Sequence, residues 1–206
     1  MPRTADHAQR RSQIIEAVCG LVAEEGLGAA TVARVAARAG ISVGLVQHYF
    51  PSKDDMLLHA FEYVSTAVAA RVAAAAEEGT RHERSIAAVL AAAVAEHLPL
   101  DERRRAEFRI TRTFAGRALD SPRLAEVDTR SAAALQAELA RAVTNGKECG
   151  EVVPDLDVHA AALRLASVTE GLAAAVYRGA PADRVKSVLE AELGAVFTGE
   201  CRQYSR

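Results

Sequence analysis

The sequence predicts an all-α protein: an N-terminal three-helix head carrying a helix-turn-helix, then a helical bundle, about nine helices in all. Three observations carry this. The 206 residues are dominated by alanine, with leucine, arginine and glutamate beside it, and contain 6 prolines and no tryptophan; that mixture favours helix. Apolar residues recur at three- and four-residue spacing, and caps and breakers cut the pattern into segments. Residues 31–58, TVARVAARAGISVGLVQHYFPSKDDMLL, read as two short helices about a glycine turn, with a third beginning at once.

Taken in order, the first helix is expected from about Ala5 to Glu25, stopped by Gly26. The second runs from Thr31 to Ala39, with Val32, Val35 and Ala36 on one side and Arg34 and Arg38 on the other. Gly40 stands where a left-handed closing residue is needed, and Ile41 plugs the turn. Ser42 caps the third helix. There Val46 and Phe50 lie four apart and face inward, leaving Val43, Gly44, Gln47 and His48 outside. The fourth helix follows Pro51, with Ser52 as cap and Asp54 and Asp55 in its dipole-favoured first turn. It is expected to reach about Glu78 and end at Gly79.

The fifth helix spans about Glu83 to Leu98 and is halted by Pro99; the sixth spans about Glu102 to Leu119. Ser121 and Pro122 open the seventh with a preferred cap and first residue. It ends near Asn145 and Gly146, where GKECGEVVPD reads as a loop. Asp155 or Asp157 caps the eighth, which runs to about Arg178. Gly179 and Pro181 separate it from the ninth, ending near Phe197, and the tail to Arg206 is expected to fray.

A helix pair of this kind places its second helix in the DNA major groove. At these residues the chain resembles the TetR family of bacterial transcription regulators. Members read T-x-x-x-I-A-x-x-A-G-V-S-x-G-x-x-Y-x-H/Y-F-x-x-K-x-x-L; here stand Thr31, Val35, Ala36, Ala39, Gly40, Ile41, Ser42, Gly44, Gln47, His48, Tyr49, Phe50 and Lys53, with Leu57 or Leu58 at the end. Val35 replaces the usual isoleucine at nearly constant volume. Gln47 replaces the commoner tyrosine on the exposed face and bears on which bases are read. The C-terminal half is similar to the BetI type at Glu170, Gly171 and Leu172.

The resemblance implies residues 1–52 as the DNA-binding domain and 53–206 as the ligand-binding and dimerisation domain. It implies double-stranded DNA contacts from Arg10, Arg11, Thr31, Ser42, Val43, Gly44, Leu45, Gln47, His48, Tyr49 and Lys53. Lys53, Tyr49 and His48 would meet the backbone and Val43, Gly44 and Gln47 the base edges. Phe50 is core. The expected protein is a homodimeric, cytoplasmic repressor that leaves a palindromic operator when a small apolar or amphipathic effector binds. The alternative is a helical adaptor or ligand carrier that binds no DNA.

Helices eight and nine carry more apolar surface than one buried stripe needs, so Leu165, Thr169, Leu172, Val176, Val185, Leu189 and Val196 are expected at a two-fold interface. The effector pocket is expected among helices four to eight, with Phe108, Ile110, Phe114, Arg117, Glu170 and Tyr177.

Charge bears on the DNA reading. The net charge is −2, and residues 1–60 balance six basic residues (Arg3, Arg10, Arg11, Arg34, Arg38, Lys53) against six acidic ones. Placement decides, since the local field steers a protein to phosphate; weak basicity implies modest non-specific affinity.

Cys19, Cys149 and Cys201 show no metal-ligand spacing and no C-x-x-C pair, so no metal or cofactor is expected. Cys19 shares an apolar face with Ile15 and Val22. No phosphate loop, nucleophile elbow or metal motif points to an enzyme. No signal peptide is evident, and the longest apolar run, Ile86 to Ala95, is too short to span a bilayer.

Overall fold

The computed structural model describes residues 3–202, and side chains from residue 7 onward. Among these the chain forms nine α-helices, one short 3-10 turn and no strand. The helices are α1 (Arg3–Glu25), α2 (Val32–Ala39), α3 (Val43–Tyr49), α4 (Lys53–Arg81), α5 (Ile86–Ala95), α6 (Glu102–Ala118), α7 (Pro122–Cys149), α8 (Val158–Tyr177) and α9 (Ala182–Val196). The 3-10 turn, Leu27–Ala29, joins α1 to α2. Arg3 forms part of α1, but its side chain lies outside the described residues, as does the tail beyond 202.

The chain packs as two compact units. One comprises Met1–Ala67 with Arg105–Asp128; the other comprises Val68–Arg104 with Thr129–Arg206. In the first, α1 packs on α2 and α2 on α3. Ile14, Val18 and Val22 of α1 are buried, as are Val35, Ala36 and Ala39 of α2 and Val46 and Phe50 of the α3 end. These are the inward faces that helical spacing predicts. A further cluster in this unit joins Leu57, Leu58 and Phe61 to Phe114, Ala118 and Leu124, and the rings of Phe61 and Phe114 stack at 4.1 Å.

In the second unit α8 packs on α9, and α5 on α9. Asp157 caps α8, accepting N–H bonds from His159 at 2.9 Å and Ala160 at 3.1 Å. Ser85 caps α5 by accepting from Ala88 N at 3.2 Å.

Two glycines expected to end helices lie inside them instead. α4 continues past Gly79 and α7 past Gly146. A Cβ at Gly146 would come 2.6 Å from Val152 Cγ2 and 2.8 Å from Phe197 Cε1, and one at Gly79 would run into Val89. Both are positions of close packing. Glycine serves there by lacking a side chain, and the roughly 1 kcal/mol it costs in a helix is offset by the close approach.

Candidate nucleic-acid interface and ligand cavity

The head is built by local chemistry. Thr31 Oγ1 accepts the N–H of Arg34 at 3.3 Å and starts α2. Gly40 closes α2 at φ 66°, ψ 33°, the left-handed region where glycine avoids the Cβ penalty. Ile41 N donates to Ala36 O at 3.0 Å, and Ser42 Oγ accepts from Leu45 N at 3.3 Å to start α3. Each cap is worth about 1 kcal/mol, so the angle between α2 and α3 is fixed by short-range bonds.

The outward face of α3 carries Val43 (44% exposed), Gly44, Gln47 and His48, with Leu45 half-buried. A Cβ at Gly44 would meet nothing within 4 Å, so its backbone faces open space. Such a face can lie against a groove without unpacking the head.

Charges around this face differ in how firmly they are held. Arg34 pairs with Glu25 and Arg38 with Glu24, each through two hydrogen bonds. Arg11 lies 2.7 Å from His59 Nε2 and its guanidinium is 5.7 Å from the centre of the Phe50 ring. Arg10 donates to Gln13 at 3.1 Å. Tyr49 is also engaged: its hydroxyl lies 2.8 Å from His7 Nδ1, and His48 meets its ring edge-on at 5.5 Å. His7, which no motif singles out, thereby ties α1 to the end of α3.

Lys53 is exposed and has no ion pair among the described residues. The neighbouring acids are both occupied: Asp54 accepts from Arg117 Nε at 2.9 Å and Asp55 from Arg123 at 2.6 Å. The Ser52 hydroxyl and then the Arg123 guanidinium hold the Asp55 carboxyl below the usual carboxylate range.

The second unit holds a partly open cavity of about 410 Å³. Its wall is largely aliphatic: Val72 and Ala76 of α4, Leu90 and Val94 of α5, Leu135 and Leu139 of α7. Eight polar residues also border it, three of them charged. His97 and Thr169 border it, and Thr80, Arg84, Glu138, Arg141, Asn145 and Cys201 complete the polar part. Thr169 spends its hydroxyl on Leu165 O at 2.7 Å. Burial pushes the His97 imidazole below its ordinary value, favouring the neutral ring, which can donate from one nitrogen and accept at the other. Apolar walls with a few convergent polar groups are the usual make-up of a small-molecule site.

None of the six residues expected in a pocket borders this cavity. Phe114 and Ile110 are buried in the first unit's core. Phe108 has Arg112 over its ring at 5.9 Å, and Arg117 is paired with Asp54. Glu170 is exposed and Tyr177 half-buried on α8. Other arginines of α6 close helix ends: Arg109 bonds Ala23 O in α1, and Arg104 bonds Ala95 O at 2.9 Å at the end of α5.

The residues expected at a dimer interface are placed inside the chain. Leu165, Thr169, Val176, Val185, Leu189 and Val196 are buried, and only Leu172 is half-buried. The dominant apolar stripe of α8 and α9 covers their own unit. The outward faces carry Leu163 (53% exposed), Ser167 and Gly171 on α8, and Val188 (42% exposed) and Gly194 on α9.

Two of the cysteines, Cys19 and Cys149, are held in the thiol form. Burial, then the nearby Glu16, pushes the Cys19 thiol up to about 12; burial and the Glu151 carboxylate push Cys149 up to about 11. Reactive thiols need the opposite shift.

A capped helix pair with its second helix turned outward defines a helix-turn-helix protein of the DNA-reading class. Residues 14–60 match the family described as bacterial regulatory proteins, tetR family, and residues 86–198, more than half the chain, match the BetI-type transcriptional repressor, C-terminal. The chain belongs to the TetR family of transcriptional regulators, with a C-terminal half of the BetI type. It is 28% identical over 172 residues to the regulator BetI of Serratia proteamaculans, covering 84% of this chain and 83% of that one. Two other curated relatives are matched over only 45% and 35% of their length. A transcriptional regulator from Rhodococcus sp. Rha1 superimposes with a TM-score of 0.77 at 28% identity, over 91% of this chain and 96% of that one. A regulator from Saccharomonospora viridis in complex with choline has the same fold, with a TM-score of 0.76 at 22% identity, over 89% and 95%. No helix among the described residues is long and apolar enough to cross a membrane.

Proposed function

We propose that the protein is a cytoplasmic repressor that binds a palindromic operator as a homodimer and releases it when a small amphipathic effector enters the second unit. The observation that carries this is the exposed outward face of α3, flanked by Lys53, which has no ion pair among the described residues. In this reading residues 1–52 read DNA and 53–206 bind effector and partner copy. Val43, Gly44 and Gln47 meet base edges; Thr31, Ser42, His48, Tyr49 and Lys53 meet phosphates, with Arg10 and Arg11 beside them. Arg34 and Arg38, closed by their carboxylates, stay out of the interface.

The dimer forms through the outward faces of α8 and α9, with Leu163, Ser167, Gly171 and Val188 in contact and the buried stripe left in place. Small residues let two such helices approach closely, and a two-fold contact matches a palindrome. The effector site is the aliphatic cavity, with neutral His97 as its hydrogen-bonding anchor. A quaternary ammonium such as the choline held by the Saccharomonospora relative is best held by the rings of Trp, Tyr or Phe. Among the described residues none of these lines the cavity, which favours an aliphatic, amphipathic molecule whose polar end meets His97 or the charged rim of Arg84, Glu138 and Arg141. α4 carries both Lys53 and the cavity residues Val72, Ala76 and Thr80. An effector need only bind the two conformations of this helix differently, by about 1–3 kcal/mol, to switch affinity.

The test is equilibrium binding to a duplex spanning the gene's own promoter, across a salt series, for wild type and Lys53→Ala. The variant is expected to bind all duplexes more weakly. Removing one phosphate-neutralising cation should make the slope of log affinity against log salt shallower by about one. An unchanged slope would remove Lys53 from the interface. Absence of salt-sensitive binding by the wild type would favour a helical adaptor or ligand carrier.

A further inference from the structure

We infer that Cys149, Glu151 and Cys201 form a binding site for a thiophilic divalent cation of the zinc type. The sequence gives no hint of it, because the third donor comes from the far end of the chain. The fold brings it back. α7 ends at Cys149, and Gly150 turns the chain at φ 98°. The segment after α9 then lies along this turn: Gly199 N donates to Glu151 O at 2.9 Å and Arg202 N to Cys149 O at 2.8 Å. The fit is close, since a Cβ at Gly150 would come 2.8 Å from Arg202 Nε.

The three donor atoms lie within 4.8 Å of one another, and Cys149 Sγ is 3.4 Å from Glu151 Oε1. With zinc–sulfur bonds of about 2.3 Å and zinc–oxygen bonds of about 2.1 Å, the sulfur–oxygen edge of a tetrahedron is about 3.6 Å. The observed edge is therefore close to ligand spacing before any metal enters. The remaining two donor separations are no more than 4.8 Å.

The carboxylate is also held in place. Glu151 is 2% exposed, and its oxygens accept the N–H groups of Ile86 at 2.7 Å and Ala87 at 2.9 Å. A carboxylate offers about four lone-pair sites, so these two bonds and a metal bond are compatible. The backbone donors act as the outer partners that orient a metal-binding carboxylate. Two thiolates and a carboxylate suit a soft, tetrahedral ion better than magnesium or calcium, which take oxygen ligands. Cys201 is half-buried and borders the cavity, which supplies both an entry path and room for a fourth ligand, water or an effector atom.

The test uses the purified full chain, reduced with a phosphine and freed of metal, titrated with Co²⁺ and then Zn²⁺. Expected are an equimolar cobalt complex with thiolate-to-cobalt charge-transfer absorption and its displacement by zinc. Cys149→Ser and Cys201→Ser should each abolish the charge-transfer band, or weaken affinity at least about 10-fold, while far-UV circular dichroism stays unchanged. Glu151→Gln should keep the thiolate band but bind more weakly. No band at micromolar cobalt in the reduced wild type would overturn the assignment. So would a band that survives in both serine variants, or fully reduced protein that takes up no metal but readily forms a Cys149–Cys201 disulfide with a small-molecule disulfide oxidant.

Discussion

Replacing Phe114 with alanine separates two roles for this residue that the sequence alone leaves joined. As a pocket residue it would cost effector response and little else. The structure places its ring at 0% exposure, stacked on Phe61 at 4.1 Å with the ring planes 12° apart, among Leu57, Leu58, Ala118 and Leu124. Truncating a buried phenylalanine costs about 3–5 kcal/mol through forfeited transfer energy and the cavity left behind. The stacked partner accounts for about 0.5–1.5 kcal/mol of that. Against a total stability of about 5–15 kcal/mol, the effect is large. It should appear in urea unfolding, followed by far-UV circular dichroism, as a lower midpoint at nearly constant slope. Leu119→Ala is the control: Leu119 is 89% exposed, and its truncation should stay within about 0.5 kcal/mol. The reasoning fails if Phe114→Ala costs less than about 1 kcal/mol while abolishing the response to an authentic effector.

Three further outcomes are expected. Gln47→Ala should relax preference at one base pair per half-site, costing about 1–3 kcal/mol on the cognate operator; selections giving identical base preferences for both proteins would contradict this. Leu163→Glu should leave a folded monomer by light scattering, whereas Leu189→Glu, which puts a charge into the second unit's interior, should lower the unfolding temperature sharply; the reverse pattern would return the buried stripe to the interface. The Asp55 carboxyl is held below its unfolded value, so its contribution to stability is present above that value and is lost as pH falls through the depressed folded value. Asp55→Asn should accordingly flatten the acid limb of a stability–pH profile, and an unchanged limb would show that the bonds with Ser52 and Arg123 carry no such contribution.

The head was largely legible in the sequence because its determinants are local. A capping hydroxyl at Thr31, a left-handed glycine at position 40, another hydroxyl at Ser42 and inward Val46 and Phe50 fix two helices and their turn without help from distant residues. Legibility fell where one local signal admits two physical causes. Gly79 and Gly146 look like stops, yet each is a point of close packing against a residue elsewhere in its unit. The apolar positions of α8 and α9 are those of any buried face, and their periodicity does not say whether a neighbouring helix or a second copy covers them. The aromatic residues of α6 do not border the second unit's cavity, whose aliphatic wall residues carry no motif of their own. The approach of Cys201 to Cys149 and Glu151 is not legible for a related reason: it depends on the final segment folding back across the end of α7.

The paired arginines of α2 bear on how an operator would be found. Arg34 and Arg38 are paired at the surface with Glu25 and Glu24, so either would have to exchange a carboxylate partner before tracking a phosphate backbone. Sliding along random duplex depends on that electrostatic hold. A head built this way would dissociate quickly from non-cognate DNA and search mainly by repeated encounters from solution, so the time to reach its operator would scale with copy number more than with the length of flanking DNA.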